Sequence, residues 1–262
     1  MDSELDPHSA LAMLHWQIDL GATEAIGDVP VNRFEAPKTL AQPVSAAAPA
    51  RPASPAVADQ VDPVGEARAA ASAAKTLDAL KEALARYDHC ALKRGARNLV
   101  FADGQPDARL MIIGEAPGRE EDMQAKPFVG AAGQLLDRML AAIGMDRHAS
   151  DVAQAVYITN VLPWRPPQNR TPNAEEIAMM RPFVQRHVDL ADPEIVVLMG
   201  NISCEAGLGR QGITRLRGTW GEAYGKPCLP MLHPAYLLRN PAAKRETWTD
   251  LLELQARLEE QT

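Results

Sequence analysis

Two residues far apart in the chain have the types needed to work on one bond from opposite sides. Glu115 stands in Gly114-Glu115-Ala116-Pro117-Gly118-Arg119-Glu120-Glu121-Asp122, and His233 in Leu232-His233-Pro234-Ala235-Tyr236-Leu237-Leu238-Arg239. A carboxylate just after a buried strand sits at a pocket rim, where it can orient a water or oppose a developing positive charge. A histidine at another strand end can donate to an oxygen that gains negative charge. Between them, Lys126-Pro127-Phe128-Val129-Gly130 offers an aromatic for stacking on a planar ring. Such platforms stabilise a bound base by roughly 1–3 kcal/mol. Thr159-Asn160-Val161, continuing through Arg165-Pro166-Pro167-Gln168-Asn169-Arg170, offers a side-chain amide with donor and acceptor side by side. Taken singly, each has a plainer reading: a turn cap for Glu115, core packing for Phe128, a loop bond for Asn160, a buried structural role for His233.

These clusters need a frame that brings them together. Short apolar runs, Arg109–Gly114, Ala155–Val161, Glu194–Gly200 and Cys228–Leu232, alternate with amphipathic stretches over Gly130–Ile143, Ala174–Leu190 and Ala242–Leu258. Strands alternating with helices predict a three-layer αβα domain around a mainly parallel four-stranded sheet. In such sheets ligands bind beyond the carboxyl ends of the strands, and all four clusters follow those ends. The first cluster is not GxGxxG, which disfavours a dinucleotide site.

Upstream the composition changes. Residues 9–20 have apolar positions at helical spacing, within an extension over 1–34. Residues 35–75 are rich in Ala and Pro and nearly lack large apolar side chains, which predicts a flexible tether to a domain over 76–262. The extension is expected to be mostly disordered, its helix either docking on the domain or recruiting a partner. The formal charge of −7 is uneven: residues 1–74 carry ten acids and four bases, leaving 75–262 at −1. Near-neutrality admits a polyanionic partner, because local field decides, and bases cluster in the predicted loops at Arg119, Lys126, Arg165, Arg170, Arg215, Arg217, Arg239, Lys244 and Arg245. No run approaches a membrane span, and Met1-Asp2-Ser3-Glu4 lacks a secretory pattern, so a cytoplasmic protein is expected. Cys90, Cys204 and Cys228 show no CxxC pair.

In order and spacing, GEAPGREED (114–122), KPFVGAAGQLLDRML (126–140), ITNVLPWRPPQNRTP (158–172) and LHPAYLLRNPAAKRETW (232–248) resemble the bacterial and archaeal uracil-DNA glycosylases called family 4. The resemblance runs from about Tyr87 to the C-terminus. It implies flipping of a deoxyuridine and hydrolysis of its N-glycosidic bond. Under it Glu115, His233 and Asn160 are catalytic: Glu115 orients water near the sugar cation, His233 bonds uracil O2, and Asn160 reads the polar edge. Phe128 stacks on the base, and Gly114, Ala116, Pro117, Gly118, Glu121 and Asn169 complete the pocket. Arg165, Arg170, Tyr236, Leu237, Leu238 and Arg239 face DNA. The chemistry agrees, since the amide pair matches the O4 and N3–H edge of uracil and mismatches cytosine.

Members of that family hold a [4Fe–4S] cluster on four cysteines. The corresponding positions here read Tyr87, Cys90, Trp164 and Met180, so no cluster and no other cofactor is expected. The leading expectation is a cofactor-free uracil-DNA glycosylase acting on uracil-containing DNA. The alternatives are the same fold acting on hypoxanthine or xanthine, and a DNA-damage-binding scaffold that no longer cleaves.

Overall fold

The computed structural model describes Leu11 and residues 62–260. The chain divides into two units, Met1–Ala58 and Asp59–Thr262, and the fold below is that of the second. Apart from Leu11, the expected first helix, the extension and the tether as far as residue 61 lie outside the described residues. In chain order come helices α1 (Pro63–Ala73), α2 (Leu77–Arg86) and α3 (Leu92–Gly95), strands β1 (Ala102–Gly104) and β2 (Leu110–Gly114), and helices α4 (Arg119–Gln124) and α5 (Ala131–Ala141). Next are β3 (Val156–Asn160), α6 (Ala174–Ala191), β4 (Ile195–Met199), α7 (Asn201–Leu208) and α8 (Ile213–Leu216). The unit closes with β5 (Gly221–Ala223), β6 (Lys226–Met231), α9 (Pro234–Arg239) and α10 (Lys244–Glu260).

The four apolar runs form the parallel centre of a sheet ordered β1-β3-β2-β4-β6-β5. Strands β2, β3 and β4 are buried throughout, as strands covered on both faces must be. Their side chains alternate between two cores. Met111, Ile113, Tyr157, Val196 and Leu198 pack in a core shared with Leu80 and Leu84 of α2 and Phe183 of α6. Leu110, Ile112, Val156, Ile158, Ile195 and Val197 pack in one shared with Leu136 and Leu140 of α5 and Leu251 and Leu254 of α10. That is the expected αβα sandwich, with two more strands than expected. The additions, β1 and β5, are antiparallel edges of three residues each. Their sequences, Ala-Asp-Gly and Gly-Glu-Ala, are too short and polar to carry a strand period. No described helix is long and apolar enough to cross a membrane.

One expectation is corrected. Residues 63–73, assigned to a flexible tether, form α1, which packs against α6. Asp62 caps the helix by accepting from Gly65 N at 2.9 Å, Pro63 starts it, and Ala67 and Ala71 are buried. Alanine is the best helix former, and its small side chain lets two backbones approach, so a face without large residues can still pack. The ends are tied as well: the Tyr87 hydroxyl donates to the Pro63 carbonyl at 2.7 Å, and Arg186 Nε donates to the Ala74 carbonyl at 2.9 Å.

Candidate active site

Strands β3, β2, β4 and β6 lie side by side in that order, and residues at or after the ends of β2, β3 and β6 close around a cavity of about 450 Å³. Glu115, Ala116, Pro117, Gly118, Glu121, Phe128, Asn160, Asn169, Arg170, His233, Tyr236 and Arg239 line it, so the four clusters converge. Sequence reasoning missed Ala132, Pro166, Thr171 and Ala235, which complete the lining. Ala132 and Ala235 lie in the first turns of α5 and α9, where small residues leave room beside the loops.

Gly114 lies beneath the wall. Glycine is needed there: a Cβ would meet Asn160 Oδ1 at 2.4 Å and the Phe128 ring at 2.6 Å. The last residue of β2 therefore lets the amide and the aromatic ring approach each other. Gly200, after β4, has φ +96°, and a Cβ there would come within 3.3 Å of His233 Cβ. Its role was not foreseen. The available signal was a glycine ending an apolar run, the same signal that marks Gly114.

Burial raises the pKa of the Glu115 carboxyl, and among the described residues no cation or donor offsets it. Glu121 sits differently. Its Oε1 accepts from Val129 N at 3.0 Å and Gly130 N at 2.8 Å, and its Oε2 from Gly118 N at 3.1 Å. One carboxylate thus ties the Glu115 loop to the Phe128 loop. Phe128 has a left-handed backbone, φ 52°, and its ring lies 5.3 Å from that of His233 at an interplanar angle of 26°.

His233 starts α9 as its N-cap. Its Nδ1 accepts from Ala235 N at 3.2 Å, so the proton of the neutral ring resides on Nε2. Burial first, and then the positive charge of Arg239, push its pKa down to about 4, against a smaller opposing effect of Glu121. At neutral pH the ring is an uncharged donor.

The remaining predicted contacts divide. Arg165 Nε donates to Asn169 Oδ1 at 2.8 Å, closing a loop in which Gln168 and Asn169 both have φ 54°. Arg170 lines the cavity, but its guanidinium pairs bidentately with Glu176, at 2.9 and 2.6 Å. Glu176 also accepts from Asn173 N at the start of α6. Arg170 is thereby fastened to that helix. Leu237 is buried in the core, whereas Leu238 is 44% exposed and Arg239 is exposed at the cavity edge. The leucine pair is thus split between packing and presentation.

Tyr87, Cys90, Trp164 and Met180 are all buried in one apolar core. The Tyr87 ring packs edge-on against Phe183 at 5.3 Å. Burial raises the pKa of the Cys90 thiol and pushes those of Cys204 and Cys228 up to about 12 and 11, so each stays protonated at neutral pH. Among the described residues no three or more His, Cys, Asp or Glu side chains are grouped to hold a metal ion.

Comparison with known proteins identifies relatives by sequence. A family model described as the uracil DNA glycosylase superfamily matches residues 101–252. The Type-4 uracil-DNA glycosylase of Sulfurisphaera tokodaii is 36% identical over 180 residues, covering 65% of this chain and 79% of that protein. The Type-4 uracil-DNA glycosylase of Thermotoga maritima is 36% identical over 169 residues, covering 63% and 84%. A Type-5 uracil-DNA glycosylase of Pyrobaculum aerophilum is 29% identical over 149 residues, covering 52% and 66%.

Proposed function

Because the chain belongs to the uracil DNA glycosylase superfamily and is similar to its type-4 members, we propose that it excises uracil from DNA by hydrolysis, leaving an abasic site. The observation that carries this reading is the pairing, around one cavity, of a carboxyl whose pKa burial raises with a neutral imidazole whose proton is on Nε2. Cleavage of the N-glycosidic bond leaves positive charge on the sugar and negative charge on the departing base. Glu115, ionised, faces the sugar and orients the attacking water. His233 donates from Nε2 to uracil O2 as charge collects there, and a neutral donor gives up no proton in doing so.

Asn160 and Phe128 choose the base. The amide offers its N–H to uracil O4 and its oxygen to N3–H, while the ring supplies a stacking face. The nucleotide enters flipped from the stack. Exposed Leu238 fills the space it leaves, and Arg239 holds the adjacent backbone. The protein acts as a monomer, and its N-terminal extension is the segment available to a repair partner.

The catalytic cycle runs without an iron–sulfur cluster. A [4Fe–4S] centre needs a thiolate at each ligand position, and the four positions supply one thiol among three large side chains. Those residues do not fit the group. What supports this reading is their packing: Tyr87, Trp164 and Met180 are buried in one apolar core with Cys90, and burial raises the pKa of that thiol.

A single assay tests the reading. The full chain is incubated with a uracil-containing oligonucleotide, and abasic sites are revealed by alkali. Strand breakage with wild type, lost in Glu115→Gln and His233→Ala, is expected. Tight binding without breakage on U:G, U:A and single-stranded substrates would replace an enzyme with a scaffold.

A further inference from the structure

Phe128 holds a backbone conformation that a bulky residue avoids. At φ 52° it is in the left-handed region, which persists only where the surroundings impose it. Its neighbours are held on each side. Downstream, Val129 N and Gly130 N donate to Glu121. Beside it, α5 passes so close that a Cβ on Gly133 would meet the Phe128 carbonyl oxygen at 1.8 Å. Upstream, the carbonyl of Pro127 accepts from Nη1 of Arg147 at 3.0 Å.

Arg147 does not line the cavity, and its side chain is only 3% exposed. Its Nε donates to Asp137 Oδ1 on α5 at 2.8 Å, and Nη1 also reaches Asp103 Oδ2 on β1 at 3.3 Å. Nη2 lies 2.7 Å from the same Asp137 oxygen without the alignment of a hydrogen bond. The other oxygen of Asp103 is 3.1 Å from Lys126 Nζ. Lys126 and Pro127, the two residues leading into Phe128, are therefore both tied to one framework. Asp137, and Asp103 shared with Lys126, more than offset the single guanidinium charge, so this arginine has none to spare for a phosphate. Its planar fork fixes several directions at once, which suits holding a main-chain carbonyl in place.

We propose that Arg147 is the positioning residue for the base-stacking ring. Through the Pro127 carbonyl it keeps Phe128 left-handed, and that backbone aims the ring into the cavity. The catalytic consequence rests on the reading of Phe128 as the base platform. Without Arg147 the strained residue relaxes to negative φ and the ring leaves its place opposite His233.

The test uses the full chain and two readouts. In NMR of phenylalanine-labelled protein, contacts between the Phe128 and His233 rings are expected in wild type and in Arg147→Lys, and are expected to be lost in Arg147→Met. Their persistence in Arg147→Met overturns the proposal whether or not uracil is the substrate. In excision kinetics, a stacking contact predicts a fall of about tenfold in kcat/KM for Arg147→Met, carried mainly by KM, with partial recovery in Arg147→Lys. On a Phe128→Ala background the same substitution should cost less than about twofold, because residues that act as one do not add. Equal losses on both backgrounds overturn the proposal. A wild type that cleaves no uracil would instead overturn the reading of the substrate, leaving the ring contacts to decide the role of Arg147. Should Arg147→Met not fold, Asp103→Asn loosens the same guanidinium and is read in the same two ways.

Discussion

Glu115 is held in its pocket at a cost to the folded state. Burial raises its pKa, so the ionised form is less stable in the folded chain than in the unfolded one. Stability from this group is present at low pH and lost as pH rises through the raised value. Glu115→Gln should therefore lower excision by about 10²- to 10⁴-fold yet raise the melting temperature at pH 8, a pairing readable by oligonucleotide cleavage and calorimetry. The same carboxyl sets the acid limb of the kcat/KM profile, above the ordinary glutamate range. His233 gives no limb near 6.5, since its ring stays neutral down to about 4. Its effect on stability has the opposite sign. Between 6.5 and about 4 the unfolded imidazole binds a proton that the folded one does not, so stability falls as pH falls through that window. His187, buried and pushed down to about 3, adds to the same loss. Urea midpoints should drop between pH 7 and 4, and less so in His233→Gln.

At the scale of elements, α9 shows how one short helix serves two purposes. Proline at its first position and His233 at its cap fix where it starts, which places the imidazole at the cavity. Leu237 then turns into the core while the next residue turns out. Leu237→Ala should destabilise by about 2–5 kcal/mol, the usual result of emptying a core leucine site, and lower activity only through folding. Leu238→Ala should leave the urea midpoint unchanged and reduce excision from duplex more than from single strands, because only the duplex has a gap to fill. Strand β1 is the other instructive element. Three residues long, it would pass for loop, yet it carries Asp103 into the framework behind Phe128.

For the molecule as a whole, α1 moves the boundary of the catalytic unit upstream. A chain lacking residues 59–75 should melt at least several degrees below one that keeps them, because the Tyr87 hydroxyl and the Arg186 guanidinium lose their acceptors and α6 loses a packed neighbour. Circular dichroism melts of the two chains check this. Protein purified without oxygen should carry no iron by elemental analysis and show no absorption band near 400 nm. Iron at four atoms per chain would show that ligands other than the one buried thiol hold it.

The central sheet was legible because strands buried on both faces must be continuous apolar runs, and four such runs stand out in the sequence. The cavity residues Glu115, Phe128, Asn160 and His233 were legible because they sit at fixed offsets from those runs. Sequence could not separate Leu237 from Leu238, or reveal the bidentate pairing of Arg170 with Glu176, since neither outcome follows from composition. It also mistook an alanine-rich helix for a tether, because a packed face made of Ala67 and Ala71 has no stripe of large apolar residues to mark it. The chain alone determined which groups stand at the strand ends. Tertiary packing decided which of them are free to act, through burial that keeps His233 neutral and raises the pKa of the Glu115 carboxyl.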